Sequence, residues 1–512
     1  MPGYSSRSKG NSGAALIPMK LQDLLKDVES LESRGSCRGE VKGVVCDSRR
    51  VRPGYVFVAI HGSHRDGWAY CEDSVSRGAI ALVSEHTHGR WVDVCQVRVA
   101  DARVAAGRLA AAFHGRPAAK LTMAGITGTN GKTTTAYILR DILRKSGSEP
   151  GLISTVAYEI GVRSIPATRT TPEAPALQAL MAEMVAAGCR SAVMEVSSHA
   201  LDQKRTEGID FDAAVFTNLT RDHLDYHQDM EDYFEAKSRL FLSLGRGKAG
   251  ATAVINRDDP WGRRMESLDG LDCRVVTYGI EQAADVKAEN VRLEPGGSAF
   301  DVLTPWGRAG LSIGLLGRYN VSNALAAIAA AGALGIDPAV SVQALASVSR
   351  VPGRLEEVHT REGFQVFVDY AHTDDALEHV LTTLREITPQ RLLVVFGCGG
   401  NRDASKRPLM GAVASRLADH SILTSDNPRG EEPAAILAQV SEGFGAGADY
   451  EVIEDRRTAI RRAIAVARKG DVVVIAGKGH ENFQEFADKT IAFDDRQVVR
   501  ECLAERAAHG KV

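Results

Sequence analysis

The segment Leu121-Thr122-Met123-Ala124-Gly125-Ile126-Thr127-Gly128-Thr129-Asn130-Gly131-Lys132-Thr133-Thr134 decides how the chain is read. Leu121–Ala124 is an apolar run suited to a buried strand. Thr135–Lys145 places Ile138, Leu139, Ile142 and Leu143 on one helical face. Between them, glycines let successive backbone N–H groups turn toward one anion, and the following helix adds its dipole. Strand, glycine-rich turn and helix start together predict a phosphate loop, with Lys132 reaching terminal phosphates and Thr133 offering a hydroxyl to Mg²⁺. Gly125 stands one residue too far upstream of Gly131 for the strict G-x-x-x-x-G-K-[ST] spacing, so the competing reading is a Gly/Thr-rich surface turn.

Downstream, Gly151–Val156, Ser191–Val196 and Ala213–Thr217 read as strands, and Pro175–Ala187 and Asp229–Leu242 as helices. That alternation belongs to a parallel α/β sheet, whose ligands gather beyond the carboxyl ends of the strands. There the chain places Thr170-Thr171-Pro172, Glu195-Val196-Ser197-Ser198-His199 and Asn218–His223. Glu195 ends an apolar strand, where an acid is costly unless paired or metal-bound, and Mg²⁺ takes one or two carboxylates with phosphate oxygens. A strand-end acid at the surface is the other reading. Taken alone, His223 reads as a structural hydrogen bonder and Lys237 as a lysine on a solvated helix face. Asp285–Leu315 alternates in short strands around Pro295-Gly296-Gly297 and Pro305-Trp306-Gly307, a small antiparallel appendage. Gly317–Asn323 opens an Ala-rich helix, which Asn320 either caps or extends toward an adenine edge.

The flanking regions follow the same rules. Leu21–Leu31 suits a short amphipathic helix, Val41–Cys46, Tyr55–Ile60 and Ala79–Val83 short strands, and Asp101–Phe113 a helix leading to the loop. After Val351-Pro352-Gly353-Arg354, strands are expected at Gln365–Asp369, Leu392–Gly397, Ser421–Thr424, Glu451–Ile453 and Asp471–Ala476. These describe a Rossmann-like domain without its G-x-G-x-x-G fingerprint. Polar loops follow those strands, and Arg402, Arg429 and Lys478 make the rim basic enough for a carboxylate or phosphate. The expected division is 1–101, 102–350 and 351–512, with 1–17 a disordered lead-in.

Bulk properties narrow the function classes. A chain of 512 residues suits about three domains. Its 44% hydrophobic and 25% charged content is that of a globular protein, and a net charge of −3 gives no reason to expect nucleic-acid or membrane-surface binding. The longest apolar run, Ala324–Ile336, is too short to span a bilayer, and the N-terminal stretch lacks a signal peptide's apolar core. The eight cysteines are scattered without a C-x-x-C pair, which suits reduced thiols in a cytoplasm.

Taken in order, Gly128–Thr134 (GTNGKTT), Glu195–His199 (EVSSH), Asp222–Asp225 (DHLD), Asp369–Thr373 (DYAHT), Asp426–Arg429 (DNPR) and Gly477–Glu481 (GKGHE) resemble the Mur ligases from about Leu21 to the C-terminus. The branch most similar adds meso-diaminopimelate to UDP-N-acetylmuramoyl-L-Ala-D-Glu. The resemblance implies an N-terminal UDP-binding domain, a central ATPase and a C-terminal amino-acid domain, in a monomer of the cytoplasm. It implies that ATP phosphorylates the D-glutamyl γ-carboxylate and that the amine attacks the resulting acyl phosphate.

Carried over residue by residue, Gly128, Thr129, Asn130, Gly131, Lys132, Thr133 and Thr134 cradle ATP, and Asn320, Arg354 and Asp369 contact the nucleotide. Thr133, Glu195, His223 and a CO₂-carbamylated Lys237 hold Mg²⁺. Cys46, Ser48, Ser63, His64 and Arg65 serve the uridine side, and Arg169, Thr170, Thr171, Ser197, Gln203 and Arg205 the muramoyl-dipeptide. Arg402, Asp426, Asn427, Pro428, Arg429, Gly477 and Glu481 take the diaminopimelate. Arg429 carries the specificity, because diaminopimelate differs from lysine by a distal carboxylate; otherwise Arg429 pairs with Glu431 or Glu432 in its own loop. Trp68 and Asp374 depart from the family pattern, which often has His and usually has Pro there. A folylpolyglutamate synthase would share the loop and the acyl-phosphate chemistry but need not carry Asp426–Arg429.

Overall fold

Every residue of the Thr122–Thr127 strand after Thr122 is buried, because the strand lies inside an eleven-stranded sheet. In this computed structural model, which describes residues 19–62, 66–86, 93–294 and 296–509, that sheet spans the middle of the chain. Ser63, His64, Arg65 and the lead-in 1–17 lie outside the described residues. Pro150–Ile153, Ser191–Glu195, Thr122–Thr127, Ala213–Phe216, Thr252–Asn256 and Arg274–Gly279 run parallel in that spatial order. Their carboxyl ends therefore share one edge.

Two parts of the sheet differ from expectation. Thr252–Asn256 and Arg274–Gly279 are strands that composition did not flag, and a short hairpin, Ala157–Ile160 with Arg163–Pro166, closes one edge. The strands Val286–Glu294, Gly297–Thr304 and Gly307–Ile313 form the expected antiparallel appendage, joined to the parallel sheet at its edge. Val286 pairs in parallel with Tyr278 and extends the same sheet.

Helices Lys132–Lys145 and Arg318–Ala333 share one core with this sheet. Ile138, Leu139 and Ile142 are fully buried, and burial at that level contributes about 1.5–3 kcal/mol per side chain. Six alanines of the second helix, Ala324, Ala326, Ala327, Ala329, Ala330 and Ala331, are also fully buried, and their small side chains let the two helices approach closely.

Before it lies a five-stranded sheet of Ser30–Arg34, Cys95–Val99, Ala79–Ser84, Tyr55–Val58 and Gly43–Val45, only the first strand antiparallel. The helix expected over Leu21–Leu31 ends by Asp27, where Val28 turns extended, and Ser30–Arg34 pairs with Cys95–Val99. That strand is polar and exposed, so it shows no apolar alternation. The same pairing sets Arg34 opposite Gln96 and brings Cys37 to Cys95, with which it forms a disulfide. The expectation that all the cysteines are reduced thiols is corrected on this point.

The last sheet orders Glu356–Glu357, Gln365–Asp369, Val472–Ala476, Leu392–Phe396, His420–Leu423 and Tyr450–Val452, with all but the first pairing parallel. Alternate residues of Val472–Ala476 enter different cores: Val472, Val474 and Ala476 on one face, Val473 and Ile475 on the other. This two-sided burial explains why the strand reads as an unbroken apolar run. Among the described residues, no helix is long and apolar enough to cross a membrane.

Candidate functional site

The turn after Thr127 works only with glycine. Gly128 has φ +145° and Gly131 φ +84°. A Cβ at Gly128 would lie 1.9 Å from Thr217 Oγ1, and one at Gly131 2.2 Å from Asn323 Oδ1. The neighbouring strand end braces the loop: Thr129 N donates to Asn218 O at 2.9 Å and Asn130 N to Asn218 Oδ1 at 2.9 Å. Thr217 Oγ1 donates to Asn130 O at 2.6 Å. The helix Lys132–Lys145 then starts with Gly131 as its N-cap and no side-chain cap, so its positive end faces the loop. Lys132 folds back, its Nζ donating to Gly128 O at 2.9 Å and Thr129 O at 2.7 Å.

Glu195 is 1% exposed, which excludes the surface reading. Its carboxylate accepts from Thr133 Oγ1 at 3.0 Å, Thr155 N at 3.0 Å and Thr155 Oγ1 at 3.1 Å. These donors are neutral, and among the described residues no ion pair engages it. Lys237 is likewise 1% exposed, so the solvated-face reading fails. Its Nζ donates to Gly128 O at 2.9 Å and lies 4.4 Å from the Tyr233 ring centroid. Burial, then the charge of Lys132, holds its pKa well below the ordinary lysine value. His223 has left-handed φ of +56° and meets the His199 ring edge-on at 4.9 Å. Burial lowers its pKa against the opposing pull of Asp222, so the imidazole is neutral at pH 7.

Residues of the last sheet complete the wall. Arg354 Nη2 donates to Thr133 Oγ1 at 3.0 Å, and its guanidinium lies 4.6 Å from the Tyr370 ring centroid. Asp375 Oδ2 accepts from Asn130 Nδ2 at 2.6 Å and Thr220 Oγ1 at 3.0 Å. Asp369 accepts from Leu355 N at 2.6 Å and Ala371 N at 2.7 Å, tying together the two segments that flank Arg354 and Tyr370.

On the far rim, Arg429 Nε donates to Glu485 Oε2 at 3.0 Å and Nη1 to Gly400 O at 2.9 Å. The reading that pairs Arg429 with Glu431 or Glu432 is corrected: Glu431 binds Arg407, at 2.9 Å and 3.0 Å. Asn427 and Lys478 both donate to Glu481 Oε2, at 3.0 Å and 2.9 Å.

All these walls enclose one cavity of about 1010 Å³. Gly128–Thr134, Arg169, Thr170, Thr171, Glu195, Ser197, Arg205, His223, Lys237, Arg354 and Asp369 line it, as do Arg402, Asp426, Asn427, Arg429, Gly477 and Glu481. Cys46, Ser48, Gln203, Asn320 and Pro428 do not. Gln203 instead accepts from Arg205 Nη2 at 2.6 Å and so steadies a residue that does. Asn320 is 3% exposed and spent within the chain: Nδ2 donates to Leu316 O at 2.8 Å, and Oδ1 accepts from Asn323 at 3.1 Å. Its neighbours Tyr319 and Asn323 line the cavity. Thr155 and Lys406 also line the cavity, and Asp375 braces the loop through Asn130; none carried a signal in the sequence, because each becomes relevant only through a partner far along the chain or a cavity wall.

Such a site can bind a nucleoside triphosphate on the loop and an anionic amino acid on the basic rim, with a buried acid between them. The chain matches the model of the Mur ligase middle domain over residues 126–331 and that of the Mur ligase glutamate ligase domain over 353–479. It is 45% identical to the UDP-N-acetylmuramoyl-L-alanyl-D-glutamate–2,6-diaminopimelate ligase of Geobacter metallireducens, covering 96% of this chain and 100% of that one. It is 46% identical to the ligase of the same name from Geobacillus thermodenitrificans, covering 95% and 100%. A solved structure of a UDP-N-acetylmuramoyl-L-alanyl-D-glutamate–2,6-diaminopimelate ligase is similar at a TM-score of 0.68 and 33% identity, covering 96% of this chain and 100% of that one.

Proposed function

The chain belongs to the Mur ligase family, and from that premise we propose that it joins meso-2,6-diaminopimelate to UDP-N-acetylmuramoyl-L-Ala-D-Glu with ATP, a step of peptidoglycan precursor synthesis. The observation that carries the reading is the single cavity shared by the phosphate loop, buried Glu195 and the basic rim around Arg429. Residues 1–101, 102–350 and 351–512 serve as the UDP-binding, ATP-binding and amino-acid-binding parts. The loop N–H groups and Lys132 orient the γ-phosphoryl group toward the D-glutamyl γ-carboxylate. Transfer gives an acyl phosphate and ADP. The neutral amine of diaminopimelate attacks the acyl carbon, and a tetrahedral intermediate expels phosphate to leave the amide. Positioning and charge neutralisation do most of this work.

Magnesium fits the donor set. A buried carboxylate held only by neutral donors, one of them the Thr133 hydroxyl, offers oxygen ligands to a hard cation, and the His223 imidazole lines the same cavity. Thr133, Glu195, His223 and carbamylated Lys237 would hold it, and it would neutralise charge on the phosphoryl oxygens. The carbamylation itself requires an unprotonated amine, and the burial of Lys237 shifts its ammonium toward that form. Lys237→Ala is therefore expected to lose about 10²–10³-fold in turnover, with partial recovery on adding a short carboxylate such as acetate. No recovery at any acetate concentration would remove the carbamate from the account.

The test of the function is phosphate release from ATP and Mg²⁺ with the nucleotide dipeptide, adding meso-diaminopimelate or L-lysine. Release that depends on the dipeptide and on diaminopimelate is the expected result. Equal release with lysine would keep the ligase and discard the substrate assignment.

A further inference from the structure

Glu195, His223 and Lys237 reach the cavity from three separate segments: the end of a strand, the turn after Asp222, and the helix Met230–Leu242. One residue outside the cavity lining ties the three together. His227 is 2% exposed, and both of its ring nitrogens are bonded. Nδ1 lies 3.2 Å from Asp232 Oδ2, and Nε2 lies 3.0 Å from Ser198 Oγ. A carboxylate only accepts, so Nδ1 carries the proton. Burial holds the ring neutral against the pull of Asp232, so Nε2 accepts from the Ser198 hydroxyl. Asp232 is itself fixed, accepting from Gln228 N at 3.1 Å. The two bonds therefore set one tautomer and one orientation of the ring.

Each contact of His227 leads to a different wall of the cavity. Ser198 lines the cavity three residues after Glu195 and opens the helix Ser198–Asp202. Asp232 and Tyr233 belong to the helix that carries Lys237. The His227 ring stacks on Tyr233 at 4.9 Å between centroids, and Lys237 Nζ lies 4.4 Å from the centroid of the same tyrosine. The Tyr233 hydroxyl also meets Thr129 Oγ1 of the phosphate loop, at 3.2 Å. The backbone of His227 helps close the turn of His223: Tyr226 N and His227 N both donate to His223 O, at 3.0 Å and 2.9 Å. His223 needs such a hold, because its left-handed φ is disfavoured for a residue with a Cβ.

We propose that His227, held between Asp232 and Ser198, is a positioning residue that fixes the segments of Glu195, His223 and Lys237 relative to one another for phosphoryl transfer. The assignment rests on the ligase reading above. His227 acts through its neighbours, as hydrogen-bonded groups behind a ligand set direct the ligands in front of them.

Three substitutions in the full chain separate this role from plain packing. His227→Gln sets an amide near the place of Nε2 and can still accept from Ser198. His227→Asn sets its amide near Nδ1 and can meet only Asp232. Ser198→Ala removes the hydroxyl. Turnover is measured with all substrates saturating, and ADP binding is measured by calorimetry with and without Mg²⁺. His227→Asn and Ser198→Ala are each expected to lower kcat by about tenfold or more, their combination to lower it no further, and His227→Gln to retain most of it. In His227→Asn, ADP binding with Mg²⁺ is expected to weaken by about tenfold while metal-free binding stays within about twofold. A kcat for His227→Asn within roughly twofold of the parent would overturn the role. So would single losses that multiply in the double variant, or ADP binding that changes equally with and without Mg²⁺. His227→Gln no better than His227→Asn would also overturn it, since the ring would then serve as packing alone. A parent that releases no phosphate would overturn the ligase reading and this role with it, whereas silent variants in an active parent would overturn this role only.

Discussion

Lys132→Met is expected to lower phosphate release by about 10³-fold, since a cation set against a transferring phosphoryl group is worth about 10³–10⁵ in rate. The side chain is the first residue of its helix and is held on the loop carbonyls of Gly128 and Thr129, at 2.9 Å and 2.7 Å. Those neutral acceptors are weaker partners than a phosphate oxygen, so on the proposed mechanism the ammonium would move to the nucleotide when it binds. Burial lowers its pKa, while Glu195 and Asp222 oppose that fall. The loss should therefore fall on kcat at saturating ATP as well as on KM. Steady-state kinetics beside a thermal melt decide it. A normal kcat with a lowered melting temperature would reassign Lys132 to bracing the loop.

Arg429→Ala is expected to weaken diaminopimelate use by about 30-fold or more, because truncating one partner of a desolvated charge pair costs about 2–5 kcal/mol. Glu485 takes Nε and Gly400 O takes one Nη1 proton, which leaves the Nη1/Nη2 end of the guanidinium for a distal carboxylate. The carboxylate of Glu485 thus fixes the direction of the fork. L-lysine lacks the distal carboxylate, so whatever slow reaction it supports should change little. The ratio of kcat/KM for diaminopimelate to that for lysine is the quantity to measure. An unchanged KM for diaminopimelate in Arg429→Ala would remove this residue from the specificity argument.

Local chemistry made much of the fold legible. Gly128 and Gly131 signal a turn that needs positive φ, and Ile138, Leu139, Ile142 and Leu143 carry the helical period of the element that follows. The strand Val472–Ala476 is legible as an apolar run because both of its faces are buried. Ser30–Arg34 was not legible. It is a polar edge strand held by its partner Cys95–Val99, and neither its composition nor its period records that pairing. The same limit hid the Cys37–Cys95 disulfide, whose partners are 58 residues apart.

By itself the sequence determined where a phosphate loop forms and which loops follow parallel strands, because those properties depend on neighbours within a few residues. Only the tertiary structure decided that Lys237, legible merely as a helical lysine, is buried beneath Gly128 O. It also decided that Asp375 reaches Asn130 across 245 residues and Arg354 reaches Thr133 across 221. It alone shows that Arg429 leans on Glu485 rather than on the acids of its own loop. The physical reason is common to all of them. Burial and pairing depend on surfaces brought together by packing, and a side chain's charge carries no record of which distant surface will remove it from water.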